Sequence, residues 1–327
     1  MSKKDLNANI TVVGGINVDI EARSDAPLIP RDSNPGKTSV SLGGVGFNIA
    51  RNLSLLGGKV RMLTAVAPDA YRERIVREAK DFGIDLSEAL STADGTAPSY
   101  VYICGPDGDM ALAVHDGELL HRVDAGYLEE HLDTVNASAC AVLDANLDED
   151  AIVFLAENCR VPIFADPVSV TKSLRMKTVL PKIFAMKPNR HEAEALTGIW
   201  AGDPENAEKA VRSLNDQGVE HVFLSMGSKG LCYGKRGGGI IYRDFTAPGG
   251  FFAKARATIK DTTGGGDAMT AAIARAWQLG MTAEQAIDLA AAAALMTVQQ
   301  TGTVNKELSL GRILEISGMA EGPESRK

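Results

Sequence analysis

The sequence over residues 261–268 is Asp261-Thr262-Thr263-Gly264-Gly265-Gly266-Asp267-Ala268. Apolar residues follow at spacings of three and four, at Met269, Ile273, Ala276 and Trp277. This pattern predicts an amphipathic helix over 268–279 that begins directly after the glycines. Glycine near a helix start costs about 0.5–1 kcal/mol per position relative to alanine. Close approach of a ligand to the backbone therefore explains three consecutive glycines.

The glycine segment predicts an anion site with a carboxylate beside it. Free N–H groups at a helix N-terminus bind anions, and missing Cβ atoms let phosphate oxygens reach them. Asp267 is the candidate catalytic base, although the helix N-terminus is expected to lower its pKa. Phosphoryl transfer tolerates a weak base because the attacking hydroxyl loses its proton late. The alternative is a glycine-rich turn followed by an ordinary helix-start aspartate.

Composition limits the class of protein. The chain has 327 residues, of which 45% are hydrophobic and 23% charged, as in folded globular proteins. The net charge is −8 and no long basic run occurs, which argues against a nucleic-acid partner. The polar N-terminus and the lack of about 18 consecutive apolar residues argue against a signal peptide or a membrane span. We therefore expect a cytoplasmic protein.

Strand and helix patterns alternate along the chain. Strands are predicted at 10–13, 60–66, 140–144, 162–165, 183–187 and 221–225, and helices at 45–56, 71–82, 149–158, 205–216, 268–279 and 283–299. This alternation predicts an α/β fold, with a parallel sheet covered by helices on both faces. We expect one domain over 1–320 and a disordered tail at 321–327. The excursions 18–40 and 99–115 are expected to form a small lid over the carboxyl ends of the strands.

A second glycine motif lies near the N-terminus, at Gly43-Gly44-Val45-Gly46-Phe47-Asn48. It precedes the predicted helix 45–56, so its glycines would admit a polyol. Asn48 offers a donor and an acceptor to vicinal hydroxyls, and Asp19 offers a carboxylate just past the first strand, with Asn17 beside it. Turn chemistry and a solvated loop aspartate are the alternative explanation.

Two further segments follow strands. Asn189 and Glu192 have the spacing of a helix cap and its third residue, which is one interpretation. The other places them near Mg²⁺, which keeps several waters and needs few protein ligands. The segment Ser225-Met226-Gly227-Ser228-Lys229-Gly230 could lie along ATP with Lys229 near phosphate, or could be a plain turn between strands.

Taken in order, these four motifs resemble the ribokinase-like carbohydrate kinases, also called the PfkB family. The resemblance spans nearly the whole chain. It implies a Rossmann-like αβα sandwich with a small β-sheet lid, often shared across a homodimer. It also implies ATP-dependent phosphorylation of a primary hydroxyl group.

The resemblance also implies residue roles. Asp267 would be the base, and the amides of Gly264, Gly265 and Gly266 the anion hole. Sugar contacts would come from five residues, Asn17, Asp19, Gly43, Gly44 and Asn48. Contacts to ATP would come from Asn189, Ser225, Gly227, Lys229 and Gly230. Glu192 would support Mg²⁺ through water, and a K⁺ ion could lie near Asp261.

Two positions depart from the family pattern. The family usually has alanine where this chain has Gly265, which should loosen the preorganisation of the amides. Four segments look most like family members that act on pseudouridine, namely 33–37, 43–46, 166–169 and 187–190. Those members commonly carry arginine at the position where this chain has Phe47. Phosphorylation of the 5′-hydroxyl of pseudouridine is therefore the expected reaction.

Other acceptors and a different class of function stay open. Another sugar or nucleoside kinase, acting on ribose, adenosine or inosine, has the same motifs, and the lid would decide between them. Candidate base contacts in the lid are Asn34, Ser99 and Tyr100. A catalytically silent sugar or nucleoside sensor is the third hypothesis, and the intact Asp267 argues against it.

Overall fold

A central nine-stranded sheet organises the computed structural model, which describes residues 5–247 and 259–319. With all strands numbered in chain order, it contains β1 (Ile10–Val13), β4 (Val60–Leu63), β6 (Ile84–Asp85), β10 (Cys140–Asp144), β11 (Ile163–Asp166), β12 (Ala185–Met186), β13 (His221–Ser225), β14 (Gly230–Lys235) and β15 (Ile240–Asp244). The spatial order is β15-β14-β13-β12-β11-β10-β1-β4-β6. Strands from β13 to β6 run parallel, and β14 and β15 add an antiparallel edge.

Helices cover both faces of this sheet. They are α1 (Val45–Leu55), α2 (Arg72–Asp81), α3 (Ala125–Glu130), α4 (Leu132–Asn136), α5 (Glu149–Asn158), α6 (Val170–Ser173), α7 (Arg190–Thr197), α8 (Pro204–Asp216), α9 (Gly265–Gln278), α10 (Ala283–Val298) and α11 (Leu310–Ile316). Short 3₁₀ helices lie at Glu118–Arg122, Leu174–Lys182 and Gly227–Lys229. Among the described residues, no helix is long and apolar enough to cross a membrane.

The core has two halves because strand residues alternate between the faces. Ile10 and Val12 of β1 belong to the half that contains α1, α9 and α10, whereas Val13 belongs to the half that contains α5 and α8. Strands buried on both faces are continuous apolar runs in the sequence, and this pattern predicted the strands of the central sheet. The architecture confirms the predicted αβα sandwich.

A second sheet is built from the two predicted excursions. Its strands are β2 (Asn17–Ser24), β3 (Gly36–Gly43), β8 (Ser99–Cys104) and β9 (Met110–Asp116), in the order β3-β2-β8-β9. The β2–β8 pair is parallel and the other two pairs are antiparallel. We call this the small sheet. A pair of two-residue strands, β5 (Ala65–Val66) and β7 (Leu90–Ser91), lies apart from both sheets.

Several predicted bounds hold and others are wrong. The strands 10–13, 140–144 and 221–225 and the helix 149–158 have the predicted bounds. The predicted strand 60–66 breaks at Thr64, because β4 pairs in the central sheet and β5 pairs with β7. The predicted strand 183–187 is reduced to β12, and β14 and β15 went unpredicted, because glycines lie within β14 and β15 is a short edge strand that follows three glycines. The tail at 321–327 lies outside the described residues.

Candidate functional site

Charged side chains converge where the parallel strands end. Asp144 and Asp166 are the last residues of β10 and β11, and Lys187 directly follows β12. Asp267 is the third residue of α9. The carboxyl ends of parallel strands meet at one edge of the sheet, where open α/β folds bind ligands. The predicted base therefore lies in the expected part of the fold.

Asp267 is held by Asn48 of α1. The Asn48 Nδ2 group donates a hydrogen bond of 2.7 Å to Asp267 Oδ2. Burial, together with the like charge of the neighbouring Asp166, raises the pKa of Asp267 from its ordinary 3.8 to about 7, although Asn48 and Lys187 act in the opposite direction. The expected lowering of this pKa by the helix N-terminus is wrong, since loss of water outweighs the effect of the helix dipole.

Lys187 is a buried cation beside the first turn of α9. Its side chain is 7% exposed, and its Nζ atom lies 3.5 Å from Asp166 Oδ2. Burial lowers the pKa of Lys187, but the charges of Asp166, Glu192 and Asp267 more than offset this, so the pKa is raised. Asp166 also accepts a hydrogen bond of 2.7 Å from Thr270 Oγ1. Lys187 was not among the predicted site residues. A lysine directly after an apolar strand was the signal that could have indicated it.

Packing requires the first glycine of the triplet and crowds the second. Gly264 has φ 78° and caps α9, and an ideal Cβ there would lie 2.0 Å from the carbonyl oxygen of Thr303. A Cβ at Gly265 would lie 3.0 Å from Val298 Cγ1. Only at Gly266 is the nearest atom the end of a flexible side chain, Lys187 Nζ at 3.1 Å. Ligand approach alone is therefore the wrong explanation for the whole triplet.

The triplet also sets where α9 begins. The helix starts at Gly265, three residues before the predicted start, because Gly265 and Gly266 adopt helical conformation in its first turn. The first-turn amides of α9 and the ammonium of Lys187, which lies 3.1 Å from a Cβ at Gly266, adjoin Asp267. Together they provide positive electrostatic potential where an anionic group could approach the carboxylate.

The predicted sugar-binding residues come together at the junction of the two sheets. Asn17 pairs with Gly43 across β2 and β3, and a Cβ at Gly43 would lie 1.9 Å from Asp19 Oδ2. Gly44 has φ 93°, and a Cβ there would lie 2.6 Å from the carbonyl oxygen of Gly15. No side chain fits at either glycine, because the backbone there packs directly against the Asp19 carboxylate and the Gly15 carbonyl.

Asp19 has an unusual environment for a surface-sheet carboxylate. Burial raises its pKa from 3.8 to about 6, and the charge of Arg51 partly counteracts this. The register places Tyr100 of β8 directly beside Asp19 on the same face of the small sheet. The predicted base contacts differ among themselves: Tyr100 faces the site, whereas the Asn34 amide is bonded to the backbone of Ile29 in its own loop. Ser99 pairs with Asp116 at the end of β8.

Asp144 is a site residue that the sequence analysis missed. It is fully buried and accepts hydrogen bonds from the backbone N–H groups of Gly15 (3.1 Å) and Asn146 (2.8 Å). A Cβ at Gly46 would lie 2.8 Å from its Oδ2 atom. Burial raises the pKa of Asp144. Because Asp144 ends an apolar strand, the sequence indicated a position in the core. Only the fold shows that Asp144 lies beneath the glycine motif at 43–46.

Asn189 and Glu192 cap the N-terminus of α7, as one of the two interpretations of their spacing predicted. Asn189 Oδ1 accepts from the backbone N–H of Glu192 at 3.0 Å. In return, Glu192 Oε2 accepts from the Asn189 backbone at 2.8 Å, and Oε1 accepts from Asn189 Nδ2 at 2.7 Å. Burial raises the pKa of Glu192. The described part of the chain contains no group of three His, Cys, Asp or Glu side chains placed to hold a metal ion directly.

A cavity of about 220 Å³ lies between the β13–β14 turn and helices α9 and α10. Three of the five predicted ATP residues line it, namely Ser225, Gly227 and Gly230, and its walls reach Gly265 and Gly266. The apolar part of its lining includes Phe245, Met269, Leu295 and Val298. Lys229 does not line the cavity, and its ammonium group donates to the carbonyl of Gly202 at 2.7 Å. Asn189 forms a single bridge with Ser225 beside it.

The two remaining predicted positions serve the scaffold. Asp261 Oδ1 accepts from the backbone of Thr263 at 2.9 Å, and its Oδ2 accepts from Gly302 at 3.4 Å, which ties the segment before α9 to a neighbouring loop. The K⁺ site near Asp261 stays a prediction. Phe47 is fully buried, and its ring lies 4.6 Å from the guanidinium carbon of Arg51.

Comparisons with known proteins match most of the chain. A family model described as pfkB family carbohydrate kinase matches residues 7–309. The pseudouridine kinase of Escherichia coli (strain K12) is 32% identical over 322 residues, 98% of this chain and 99% of that protein. The guanosine-inosine kinase of Exiguobacterium acetylicum is 24% identical over 295 residues, 89% of this chain and 95% of that protein. The structure of Arabidopsis thaliana ribokinase complexed with ribose and ATP has a TM-score of 0.82 at 22% identity, over 96% of this chain and 99% of that one.

The packing of Gly264 predicts a stability difference between two glycines. Both Gly264 and Gly280 have positive φ (78° and 75°), but nothing lies within 4 Å of a Cβ at Gly280. Gly280→Ala should lower the free energy of unfolding by about 1–2 kcal/mol, because alanine is strained in the left-handed backbone conformation. Gly264→Ala adds a clash with Thr303 and should cost about 3–5 kcal/mol. Urea unfolding measures both, and equal losses would contradict the packing explanation.

The raised pKa of Asp267 predicts how stability depends on pH. Between pH 3.8 and about 7 the folded protein holds a proton on Asp267 that the unfolded chain has released. Stability should therefore decrease as pH rises through this window. Asp267→Asn should remove this part of the decrease and be more stable than the native protein at pH 8, by on the order of 1–3 kcal/mol. Unfolding curves from pH 4 to 8 test this, and parallel profiles would exclude a raised pKa.

Proposed function

The chain belongs to the pfkB family of carbohydrate kinases and is an ATP-dependent kinase, and on that premise we propose that it phosphorylates the 5′-hydroxyl of a ribosyl compound, with pseudouridine as the acceptor. The observation that carries the reaction is the 2.7 Å hydrogen bond between Asn48 and Asp267. This bond places the predicted sugar-binding amide directly against the predicted base. The choice of pseudouridine is supported by the 32% identity to the Escherichia coli pseudouridine kinase over 98% of the chain.

The proposed chemistry is an in-line phosphoryl transfer. The acceptor oxygen forms a bond to the γ-phosphorus of ATP, the bond from that phosphorus to the ADP oxygen breaks, and the acceptor proton moves to Asp267. A base with a pKa of about 7 is matched to proton transfer near neutral pH. The amides of Gly265 and Gly266 and the ammonium of Lys187 would stabilise negative charge on the transferred group.

The sugar would lie at the junction of the two sheets. Asp19 and Asn48 would hold vicinal hydroxyl groups, and the glycines at 43 and 44 let the backbone pack closely enough to bring these two side chains to the same site. Asn17, paired with Gly43, would complete this wall. The face of the small sheet that carries Asp19 and Tyr100 would close over the sugar and its base.

The nucleotide would occupy the cavity lined by Ser225, Gly227 and Gly230. The apolar wall suits a purine, and the end at Gly266 brings the phosphates to the first turn of α9. Asn189 and Lys229 are part of the proposed site as flanking polar groups. ATP is the co-substrate, so a cytoplasmic location belongs to this proposal.

The magnesium part of the proposal fits one mode of binding. Both Glu192 oxygens already accept hydrogen bonds from Asn189, so these side chains suit a hydrated ion held chiefly by the phosphates of ATP. Such an ion neutralises phosphate charge during transfer. The proposed Glu192 contact through water keeps the capping box intact. K⁺ near Asp261 is a further, optional part of the proposal.

A second acceptor class is favoured by a specific observation. The guanosine-inosine kinase of Exiguobacterium acetylicum is also similar over 89% of this chain, so a purine nucleoside is the alternative acceptor. A non-catalytic sensor is disfavoured by the raised pKa of Asp267 and the adjacent cation, because a receptor needs neither.

The small sheet is also proposed to join two copies of the chain. Its outer face exposes a continuous set of apolar side chains, with Leu112 at 62% and Val114 at 65%. The register aligns Val40, Val101 and Val114 in one row through Ile20, and places Ile103 next to Leu112. An exposed apolar sheet face of this kind is typical of an interface.

Turnover with a panel of acceptors tests the function. ADP release would be measured with ATP and Mg²⁺, with and without K⁺, against pseudouridine, uridine, inosine, guanosine and ribose. We expect kcat/KM for pseudouridine to exceed that for the other acceptors by about tenfold or more. Higher kcat/KM for inosine or guanosine would replace the acceptor and keep the reaction. Binding without any turnover would favour the sensor.

The matched variant for this assay is Asp267→Asn. It keeps the size of the side chain and removes the base, so kcat should decrease about 10²–10⁴-fold. In the native protein kcat should rise with pH with a midpoint near 7, because only the deprotonated carboxylate accepts the proton. Undiminished turnover in Asp267→Asn would remove Asp267 from proton transfer.

The outer face of the small sheet predicts a change in assembly. Val114→Glu should shift the protein from dimer to monomer, because it places a charge at the most exposed valine of the apolar row. Val76→Glu is the control, since Val76 is an exposed valine (47%) on α2. Sedimentation velocity at micromolar concentration distinguishes the two. A native monomer, or a dimer in Val114→Glu, would contradict the proposed interface.

A further inference from the structure

Arg51 is a buried cation on α1 that no proposed step uses. Its side chain is 7% exposed, and its Nη1 atom pairs with Glu78 Oε1 of α2 at 2.6 Å. Nη2 donates to the carbonyl of Leu42 at 2.9 Å and also to Asn48 Oδ1. Burial of a guanidinium is costly unless it is paired, so this position calls for an explanation beyond packing.

The contact with Asn48 determines which way that amide points. Asn48 Oδ1 accepts from Arg51 and also from Thr303 Oγ1 at 3.0 Å. The opposite end of the amide, Nδ2, is thereby directed at Asp267. A reversed amide would turn Nδ2 toward the guanidinium, where two donors oppose each other, and Oδ1 toward the carboxylate, where two acceptors oppose each other. The reversed arrangement loses both hydrogen bonds.

We propose that Arg51 is a positioning residue, which holds the Asn48 amide with its NH₂ group toward Asp267 and so keeps the sugar site and the base in one geometry. Arg51 does not touch the reacting atoms in this role. It anchors Asn48 to Glu78 on α2 and to the carbonyl of Leu42 at the end of β3. The inference rests on the proposed function, because it assigns Asp267 as the base.

The charges around Asp267 indicate what loss of Arg51 would do. Asp144 from β10 and Asp166 from β11 face it with like charge, and Lys187 after β12 faces it with opposite charge. Asn48 is its neutral donor from α1, and this bond lowers the pKa of Asp267. Weakening that bond, together with removing a nearby cation, should therefore raise the pKa of Asp267. The charge of Arg51 also lowers the pKa of Asp19.

Arg51→Gln and Arg51→Lys test the proposal, each alone and combined with Asn48→Ala. For Arg51→Gln we expect kcat to fall about 10–100-fold, as for a misplaced reacting group. Its kcat–pH midpoint should move upward by about half a unit or more. Arg51→Lys should recover part of kcat because it restores the charge and one donor. In the Asn48→Ala background both changes should have little further effect, since the residue through which Arg51 acts is gone.

Arg275→Gln is the matched control. It removes another buried guanidinium, on α9, which donates to the carbonyl of Leu56 at 3.1 Å and to Gln278 Oε1 at 2.6 Å. It leaves both Arg51 and Asn48 in place, so the kcat–pH midpoint should stay at the native value. A folded Arg51→Gln protein with native kcat and midpoint would overturn the proposal. Equal losses with and without Asn48→Ala would overturn it too, because Arg51 would then act by another route. If Arg51→Gln does not fold, Arg51→Lys carries the same comparison.

A measurement without substrate separates this inference from the proposed function. The stability difference between proteins with and without Asp267→Asn reports the pKa of Asp267 by linkage. Recorded from pH 4 to 9, this difference should change at higher pH in the Arg51→Gln background than in the native one. The expected shift would support the positioning role even if no acceptor is turned over. No shift would overturn it even if the kinase is active.

Discussion

Burial of ionisable groups at the carboxyl edge of the central sheet is the constraint on which the site depends. Asp144, Asp166 and Lys187 are buried, and Asp267 lies half-buried beside them. Carboxylates in such a place are costly unless a cation or fixed donors accompany them. Lys187 supplies the charge, and Asn48, Thr270 and the backbone of Gly15 supply the hydrogen bonds. For Asp267 burial outweighs the donor and the cation, and its pKa is raised to about 7.

The same edge explains why glycines cluster at two distant points of the chain. Around Gly43, Gly44 and Gly46, the backbone packs directly against the carboxyl groups of Asp19 and Asp144 and against the Gly15 carbonyl. At Gly264 the approaching atom is the carbonyl of Thr303. Close backbone packing brings α1 and α9 to the strand ends, and the Asn48–Asp267 bond then joins these helices. A ligand would therefore meet an already assembled framework.

Much of the fold followed from local pattern. The apolar strands β1, β10 and β13 and helix α5 have the predicted bounds, because strands buried on both faces and amphipathic helices leave strong periodic signals. Asn17, Asp19, Asn48 and Asp267 were identified from motif order and the family resemblance, and the fold brings them together. Predictions from local context alone were weaker. The helix N-terminus suggested a lowered pKa for Asp267, yet desolvation and Asp166 raise it, and both come from distant segments of the chain.

The sequence by itself determined the α/β class, the family, the two excursions and the residue types at the site, because these depend on periodicity and on motifs a few residues long. Only the tertiary structure decided the roles of Lys187, Asp144 and Arg51, since their partners lie far away in sequence. It also decided that Asn189 and Glu192 cap α7, and that packing demands Gly264. Burial and charge pairing depend on which segments share space, and no local pattern carries that information.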